Sequence, residues 1–393
     1  SSNGLEKRPK LRFPGFDEPW RAAQLGDLLI ELSDYATQES GFPLLTSSRQ
    51  GLFVQEDYFI DKQANAETTV FSVLPYGCIT YRHMSDDNIF HFNINRLVAN
   101  GLVSKEYPVF TVRKEVLDTD FLVDTLNSSP LFSVFCIQQK KGGTRTRLYF
   151  KTLCSYQMFL PVLHEQQVIA SFIRLLDKRI ERQMELVETL KKYKRGVNKQ
   201  LLSQIDNSCN CRLGSVCEIV GGGTPDTLHT EYWGSSVEWF TPSEIGKTKY
   251  VSRSVRKLSD IGLNNSSAKL LPIGTVLLTT RATLGEMSIA KRECCTNQGF
   301  QSLIPHQDQA LSEYLYYMQI IIKPWCEKYA SGNTFREISK SALSNCIIPL
   351  PDRARQEEIV KLLSSIDTLI SAEEGIAMSL SKMRHSLMQQ LFI

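Results

Sequence analysis

The chain carries one sequence pattern twice, and this internal repeat limits the possible folds more than any other feature. Leu160-Pro161 recurs 190 residues later as Leu350-Pro351, and no gap is needed from residue 142 to residue 202. Upstream of that stretch the offset drifts, as insertions would cause. A repeat this long indicates two copies of one structural unit. Identical residues at the 190-residue offset include Gln166 and Gln356, Ile169 and Ile359, Asp177 and Asp367, and Leu190 and Leu380.

Each copy ends in a segment with the pattern of a long amphipathic helix. From Leu163 to about Leu202 there is no proline, and apolar residues recur in steps of three and four. Such a helix would be roughly 60 Å long, and its apolar stripe needs a partner. The second copy supplies one, so we predict that the two helices pack as an antiparallel coiled coil with pseudo-two-fold symmetry. A dimerisation arm without any spacing role is the plainer alternative.

The segments before the two helices read as short strands broken by glycine, proline and asparagine, with a few short helices. Equivalent turns are predicted at Pro75-Tyr76-Gly77 and Pro272-Ile273-Gly274. The predicted fold class is therefore α+β, with two mixed α/β domains that are each followed by a long helix. The predicted boundaries are 1–160 for the first domain, 161–205 for the first helix, 206–350 for the second domain and 351–393 for the second helix.

Composition fits a folded, soluble protein, with 42% hydrophobic and 22% charged residues. No apolar run approaches the roughly 20 residues that cross a bilayer, and the first residues lack the apolar core of a signal peptide. The ten cysteines show no metal-ligand spacing. Scattered cysteines in a long chain indicate reduced thiols, so we expect a cytoplasmic protein with no metal site.

Charge is distributed unevenly although the net charge is only +3. No acidic residue lies between Asp124 and Glu165, and none lies between residues 245 and 259. Basic segments on a nearly neutral chain suit a protein that touches phosphates on one face. Two solvated loops explain the pattern equally well. The basic residues in these segments are Lys140, Lys141, Arg145, Arg147, Lys151, Lys247, Lys249, Arg253, Arg256 and Lys257.

Three polar motifs lie in the second copy. Gly221-Gly222-Gly223-Thr224-Pro225 resembles a phosphate loop but lacks the lysine and the downstream hydroxyl of a Walker A motif, so a flexible turn is the better interpretation. Thr280-Arg281 and Asn297-Gln298-Gly299-Phe300 offer groups able to contact phosphates or base edges, although ordinary loop polarity also explains them. No catalytic motif, dinucleotide fingerprint or metal set is recognisable, so the pattern favours a reader over a catalyst.

Taken in order, the motifs resemble those of the specificity (S) subunit of type I restriction-modification systems. The resemblance covers essentially the whole chain and is clearest in the second copy, because the first lacks recognisable Gly-Gly-Thr-Pro and Asn-Gln-Gly-Phe elements. The motifs that carry it are Leu11-Arg12-Phe13-Pro14, Gly222-Gly223-Thr224-Pro225, Tyr232-Trp233-Gly234, Trp239-x-Thr241-Pro242, Thr280-Arg281-x-Thr283-Leu284-Gly285, Asn297-Gln298-Gly299-Phe300 and Ile338-Ser339-Lys340.

The resemblance implies a non-catalytic subunit with two target-recognition domains, each reading one half of a bipartite, asymmetric site in double-stranded DNA. It also implies that the two helices set the spacer and dock two modification (methyltransferase) subunits, which carry S-adenosylmethionine, while restriction subunits complete the endonuclease. Under this interpretation the repeated helix residues Gln166, Ile169, Asp177, Gln356, Ile359 and Asp367 belong to the docking helices. A coiled-coil adaptor whose end domains bind proteins is the alternative, and an enzyme acting alone is disfavoured.

Our hypothesis divides the candidate DNA-binding residues into two groups. Side chains that read bases are expected near Arg49 and Arg82 in the first domain and near Thr280, Arg281 and Gln298 in the second. Side chains that hold phosphates are expected to be Lys140, Lys141, Arg145, Lys247, Lys249 and Arg336.

Overall fold

A computed structural model describes residues 9–55, 70–140, 144–332 and 336–392. It divides into two compact units: unit 1 contains Ser1–Met184 and Gly375–Ile393, and unit 2 contains Glu185–Glu374. Two long helices dominate the secondary structure, and we call them long helix 1 (Leu163–Ser203) and long helix 2 (Arg353–Leu391). Both helices follow a proline that ends the preceding strand, as the sequence predicts.

Unit 1 is built on small antiparallel sheets, the largest of which has four strands. Its shorter helices are Leu25–Leu28, Thr119–Ser128, Pro130–Gln138 and Phe150–Cys154. Its strands are Arg21–Gln24, Leu29–Glu31, Tyr35–Ala36, Leu45–Ser48, Gly51–Val54, Phe71–Pro75, Ile79–Tyr81, Met84–Ser85, Phe92–Ile94, Asn100–Ser104, Val109–Val112, Thr146–Arg147 and Gln157–Leu160.

Unit 2 contains a five-stranded and a three-stranded sheet, both with one parallel pairing. Its shorter helices are Leu213–Val216, Asp260–Asn264, Ser312–Tyr317, Gln319–Tyr329 and Lys340–Ser344. Its strands are Asn210–Arg212, Cys217–Gly221, Trp233–Phe240, Tyr250–Val251, Arg256–Leu258, Val276–Leu278, Met287–Ala290, Cys294–Thr296, Gln301–Pro305 and Ile347–Pro349.

Each unit opens and closes with the same local structure. In unit 1, Arg21–Gln24 pairs antiparallel with Gln157–Leu160, and in unit 2, Asn210–Arg212 pairs with Ile347–Pro349. The two predicted proline-glycine turns also form, because Gly77 and Gly274 adopt φ values of +79° and +86° that favour glycine. The repeat in the sequence is therefore a repeat of internal structure.

Segments of the two long helices contact each other within each unit. In unit 2, Lys191 forms an ion pair with Glu374, Lys194 with Asp367, and Arg355 donates to Gln204. Because residue numbers rise on one segment as they fall on the other, these segments run antiparallel. In unit 1, Arg384 forms an ion pair with Asp177, and Ile169, Ile173, Met388 and Leu391 share one buried core.

The N-terminal motif of unit 1 is anchored on long helix 1. Arg12 donates from Nε and Nη2 to the two carboxylate oxygens of Glu165, both at 2.7 Å. Glu165 is fully buried and also accepts from the Trp20 indole at 3.4 Å. Among the helices described, none is long and apolar enough to cross a membrane.

Candidate nucleic-acid interface

The polar motifs of the second copy converge on one side of unit 2. The Gly223 amide donates to the Thr296 carbonyl at 2.9 Å, and the Thr224 hydroxyl donates to the Gln298 side chain. The Thr280 amide donates to the Gly299 carbonyl at 2.7 Å. Three segments that are distant in sequence thus meet through direct hydrogen bonds.

The Gly221–Pro225 segment packs against protein rather than enclosing a space for a ligand. A Cβ on Gly222 would lie 2.0 Å from the Asn297 carbonyl oxygen, and one on Gly223 would lie 2.4 Å from the Ser267 backbone. Only glycine permits such close approach of two backbones. Gly222 and Gly223 therefore pack against the backbone of neighbouring segments, and no room for a phosphate remains beside them.

The three predicted readers of unit 2 differ in exposure, since one is exposed, one is half-buried and one is buried. Arg281 pairs with Glu337 at 2.8 Å with less than half of its side chain exposed, and Gln298 is exposed. Thr280 is fully buried, and its hydroxyl has no hydrogen-bond partner among the described residues. The prediction that Thr280 reads a base is corrected, because its side chain does not reach the surface. Ala282 follows with φ +56°, which turns the loop at this point.

The predicted phosphate-binding cations of unit 2 have three different surroundings. Lys247 is exposed. Lys249 donates to the Tyr317 hydroxyl and to the Ser364 hydroxyl, both at 2.9 Å, and burial lowers its pKa. Within unit 2 its ammonium thus joins the short helix Ser312–Tyr317 to long helix 2, which contradicts the prediction that it holds a phosphate. Arg336 is exposed and donates to the Glu327 carbonyl.

In unit 1 the structure brings the two predicted readers together. Arg49 and Arg82 line the same surface cavity of about 370 Å³, with Ser48 and Asp86 among the other lining residues. Arg49 lies at the tip of the hairpin formed by Leu45–Ser48 and Gly51–Val54. It hydrogen-bonds to Asp87 and thereby lowers the pKa of that carboxyl.

The predicted phosphate-binding cations of unit 1 are only partly described. Lys140 is exposed, just after Pro130–Gln138. Arg145 is exposed and pairs with Asp86 at 2.8 Å, so it lies near the cavity that Arg49 and Arg82 line. Lys141 falls outside the described residues.

Four of the six repeated residues on the docking helices face inward. Gln166, Ile169, Gln356 and Ile359 are at most 1% exposed. The carboxylates of Asp177 and Asp367 are held by Arg384 and Lys194 of their own units. A buried side chain cannot contact another subunit, so a docking role is corrected for these four residues, which assemble each unit. Asp177 and Asp367 remain partly exposed.

Sequence reasoning overlooked the polar cluster around Asp367. The Tyr317 hydroxyl donates to Asp367 at 2.7 Å, and the buried Asn198 amide donates to the Tyr317 carbonyl at 2.9 Å. These residues come from three distant segments. The one sequence signal for the cluster was that Asp367 repeats Asp177 at the 190-residue offset. Burial and the bond to Asp367 raise the pKa of the Tyr317 hydroxyl.

Sequence reasoning also left Arg256 out of the site. Its guanidinium carbon lies 3.4 Å from the centroid of the Trp233 ring and 5.7 Å from that of Trp239. Trp239 in turn donates its indole N–H to the Gly223 carbonyl at 3.0 Å. The signal was present in the sequence, because Arg256 lies in an acid-free segment close to two tryptophans.

Comparison with known families gives one match. The family model described as type I restriction modification DNA specificity domain matches residues 102–192 and 205–382. These matched segments make up more than half of the chain.

Curated relatives match over part of their length. The chain is 35% identical over 186 residues to the type I restriction enzyme MjaIX specificity subunit of Methanocaldococcus jannaschii, covering 46% of this chain and 43% of that protein. It is 28% identical over 222 residues to the EcoR124I/EcoR124II specificity subunit of Escherichia coli, covering 53% and 54%. The chain thus spans about half the length of these curated relatives.

Solved structures share the fold over nearly the whole chain. A chain from a study of complex assembly in the type I R-M system superposes with a TM-score of 0.62 at 18% identity, covering 97% of this chain and 99% of that one. The type I restriction-modification S subunit from M. genitalium gives a TM-score of 0.53 at 15% identity, covering 98% and 99%. At these identities the likeness establishes the fold.

Proposed function

This chain belongs to the type I restriction modification DNA specificity domain family, and we propose that it is the non-catalytic subunit that reads a bipartite DNA site. Each globular domain reads one half-site in double-stranded DNA. The observation that carries the proposal is the convergence in unit 2 of the Gly222–Pro225, Thr280–Gly285 and Asn297–Phe300 motifs, with Arg281 and Gln298 at the surface. Guanidinium and amide side chains are the groups that pair with guanine and adenine edges in the major groove.

The long helices set the spacer between the half-sites. We propose that they form one antiparallel coiled coil with pseudo-two-fold symmetry, and that the domain boundaries lie at residues 160, 205 and 350. Equivalent ion pairs support this arrangement, because Arg384 and Asp177 in unit 1 correspond to Lys194 and Asp367 in unit 2 at the 190-residue offset. Such a pair of rods would hold two readers on successive parts of a duplex.

The exposed faces of the helices dock the modification subunits. Along long helix 2, large apolar residues recur every seven positions and are each more than 40% exposed. Exposed apolar residues at heptad spacing are typical of a helix that packs on a partner. The residues are Leu362, Leu369, Ile376 and Met383, and on long helix 1 Leu186 and Tyr193 are exposed at the same spacing.

The chemistry belongs to the partner subunits in this proposal. The methyltransferase subunits bind S-adenosylmethionine and methylate adenine, and restriction subunits complete a cytoplasmic endonuclease. The chain itself contributes sequence recognition and geometry.

The decisive experiment expresses the full chain with a type I modification (methyltransferase) subunit and maps DNA methylation in the host. A bipartite motif with a constant gap supports the proposal. Binding of the purified complex to duplexes that carry this motif should weaken steeply with salt, since phosphate contacts release counterions. A complex that leaves the host unmethylated and binds duplex DNA without salt dependence would contradict it and favour a protein-binding adaptor.

A further inference from the structure

In unit 2, residues 253–257 form a loop that leads into the strand Arg256–Leu258, and two glutamates hold this loop in place. The Ser254 amide and hydroxyl donate to one carboxylate oxygen of Glu238 at 2.6 and 2.8 Å, and the Val255 amide donates to Glu244 at 2.7 Å. Glu238 is 5% exposed. Buried carboxylates that accept several backbone hydrogen bonds restrict a loop to one conformation. The tip of this loop is therefore held in one exposed conformation.

Protein groups occupy the carboxylates of both glutamates that hold the loop. The second oxygen of Glu238 pairs with Lys257 at 2.7 Å. The second oxygen of Glu244 accepts from the Thr241 amide and hydroxyl at 2.9 and 2.7 Å. All four carboxylate oxygens are thus occupied by protein donors. Lys257 balances the charge of Glu238, and the two exposed arginines, Arg253 and Arg256, outweigh the remaining charge of Glu244.

Arg256 is oriented without an acidic partner. Its guanidinium stacks on Trp233, and within the described residues no carboxylate lies within ion-pair distance of it. Stacking on an aromatic face fixes the plane of a guanidinium while its N–H donors stay available at the edge. Trp233 packs edge to face on Trp239, whose indole holds the Gly223 carbonyl at 3.0 Å. Arg256 is therefore tied to the segment that also holds Gln298.

Val255 is the apolar tip of this loop, with 87% of its surface exposed. An isolated exposed valine is ordinary. Here it stands between two exposed arginines on a backbone that two glutamates hold, which is an unusual setting for an apolar side chain without a partner. A thymine methyl group in the major groove is an apolar partner of matching size.

We propose that residues 253–257 form an additional DNA-contacting element of unit 2, in which Arg256 binds a backbone phosphate and Val255 packs against a thymine methyl group. The inference rests on the proposed function, because it takes the ligand to be the duplex read by this domain. The loop then adds one base position to the half-site beyond those read by Arg281 and Gln298.

The test uses the full chain with its methyltransferase subunit and a labelled duplex whose motif comes from methylation mapping. Arg256→Gln should weaken binding to the cognate and to a scrambled duplex about tenfold, and should reduce the slope of log K against log salt by about 1. Arg212→Gln removes the same charge from an exposed position on the strand Asn210–Arg212. It should bind like the parent chain.

Val255→Ala should act differently, because it removes a base contact. Discrimination between thymine and cytosine at one position of the second half-site should fall by roughly fivefold or more, while binding to the scrambled duplex stays unchanged. Arg256→Lys keeps the charge but loses the planar stack, so intermediate binding is expected even if Arg256→Gln folds poorly. Melting temperatures of all variants separate lost binding from lost structure.

The outcomes separate the two proposals. A parent complex that prefers its motif, with Arg256→Gln and Val255→Ala both matching it, would overturn the role of the loop and leave the proposed function standing. Loss of discrimination at a single base in Arg256→Gln would overturn the phosphate assignment. A parent complex with no preference for any duplex would overturn both.

Discussion

Arg384 on long helix 2 donates two hydrogen bonds to Asp177 on long helix 1, with its Nη2 3.0 Å from Oδ2. At the 190-residue offset this pair becomes Lys194 and Asp367, so in unit 2 the acid comes from long helix 2 and the base from long helix 1. The same contact is therefore made once in each unit with the helices exchanged. This is the relationship expected if one ancestral helix paired with a copy of itself.

The Asp367 pair should matter more for stability than an ordinary surface ion pair. Asp367 accepts from Lys194 and from the Tyr317 hydroxyl, and it is only one-quarter exposed. Asp367→Asn should lower the free energy of unfolding by about 1–3 kcal/mol, measured by urea denaturation. The control is Glu358→Gln, whose carboxylate is 68% exposed beside Arg355, and a change within about 0.5 kcal/mol is expected there. Equal effects of both substitutions would show that the hydrogen bond from Tyr317 adds nothing to the free energy of unfolding.

The paired glutamines at the start of each long helix should be intolerant of substitution. Gln356 accepts from the Leu311 amide at 3.0 Å and donates to the carbonyls of Gln309 and Pro351 at 2.8 and 3.0 Å. Gln166 makes the same three bonds to Asp118, Val116 and Pro161.

A glutamate at either position has the same shape but cannot donate when ionised. Gln356→Glu and Gln166→Glu should therefore each destabilise the protein by about 2 kcal/mol or more at pH 8. Acid should reduce this loss, because a protonated carboxyl can donate one bond. Urea titrations at pH 8 and pH 5 measure both effects, and a pH-independent loss would argue against the donor role.

These glutamines show what the sequence could and could not reveal. The gapless repeat predicted both long helices to within a few residues, because helical periodicity is a local property. It did not reveal that the repeated residues face inward. Residues that are identical in the two copies share the same environment. Burial within each unit keeps such a residue unchanged, and so would contact with the same partner subunit. For that reason the sequence could not show that Gln166, Ile169, Gln356 and Ile359 are buried.

The motifs of the candidate site could be found in the sequence, whereas the surroundings of each side chain could not. Arg281 and Gln298 reach the surface from loops, and their role as base readers stays a prediction. Lys249 was misjudged, since a lysine bound to Tyr317 and Ser364 has the same sequence signature as a free one. Arg256 was overlooked because cation–π stacking depends on the distance between Trp233 and the strand beside it.

Gly222 should be irreplaceable, in contrast to a helical glycine. The Cβ of Gly222→Ala would lie 2.0 Å from the Asn297 oxygen and 2.5 Å from the Thr296 oxygen, so the loops that meet there must separate. We expect a loss of several kcal/mol in stability or, if the domain folds, loss of site-specific binding. Gly375→Ala lies in long helix 2 with nothing within 4 Å and should stabilise by about 0.5–1 kcal/mol. Calorimetry compares the two variants.

Unit 1 should lose stability as pH rises toward 7. Burial raises the pKa of Asp124 to about 7, with Arg384 opposing the shift and Asp177, Asp120 and Asp118 adding to it. Because the folded pKa lies above the unfolded value of about 4, the folded state holds more protons between these values. Stability from this group is complete below about pH 4 and declines until about pH 7. Asp124→Asn should flatten the decline in unfolding free energy, and an unchanged pH profile would refute the assignment.

Arg281 should act as a base reader rather than a phosphate clamp. Its guanidinium pairs with Glu337 at 2.8 Å, which orients it while leaving part of the fork exposed. Arg281→Ala should reduce binding to the cognate duplex by about 1–3 kcal/mol and relax specificity at one position, with little effect on random duplex. Glu337→Gln leaves the arginine in place and should retain the preference for the cognate motif with a weaker orienting contact. Fluorescence anisotropy on cognate and random duplexes distinguishes the roles, since equal losses on both would make Arg281 a contact to the DNA backbone.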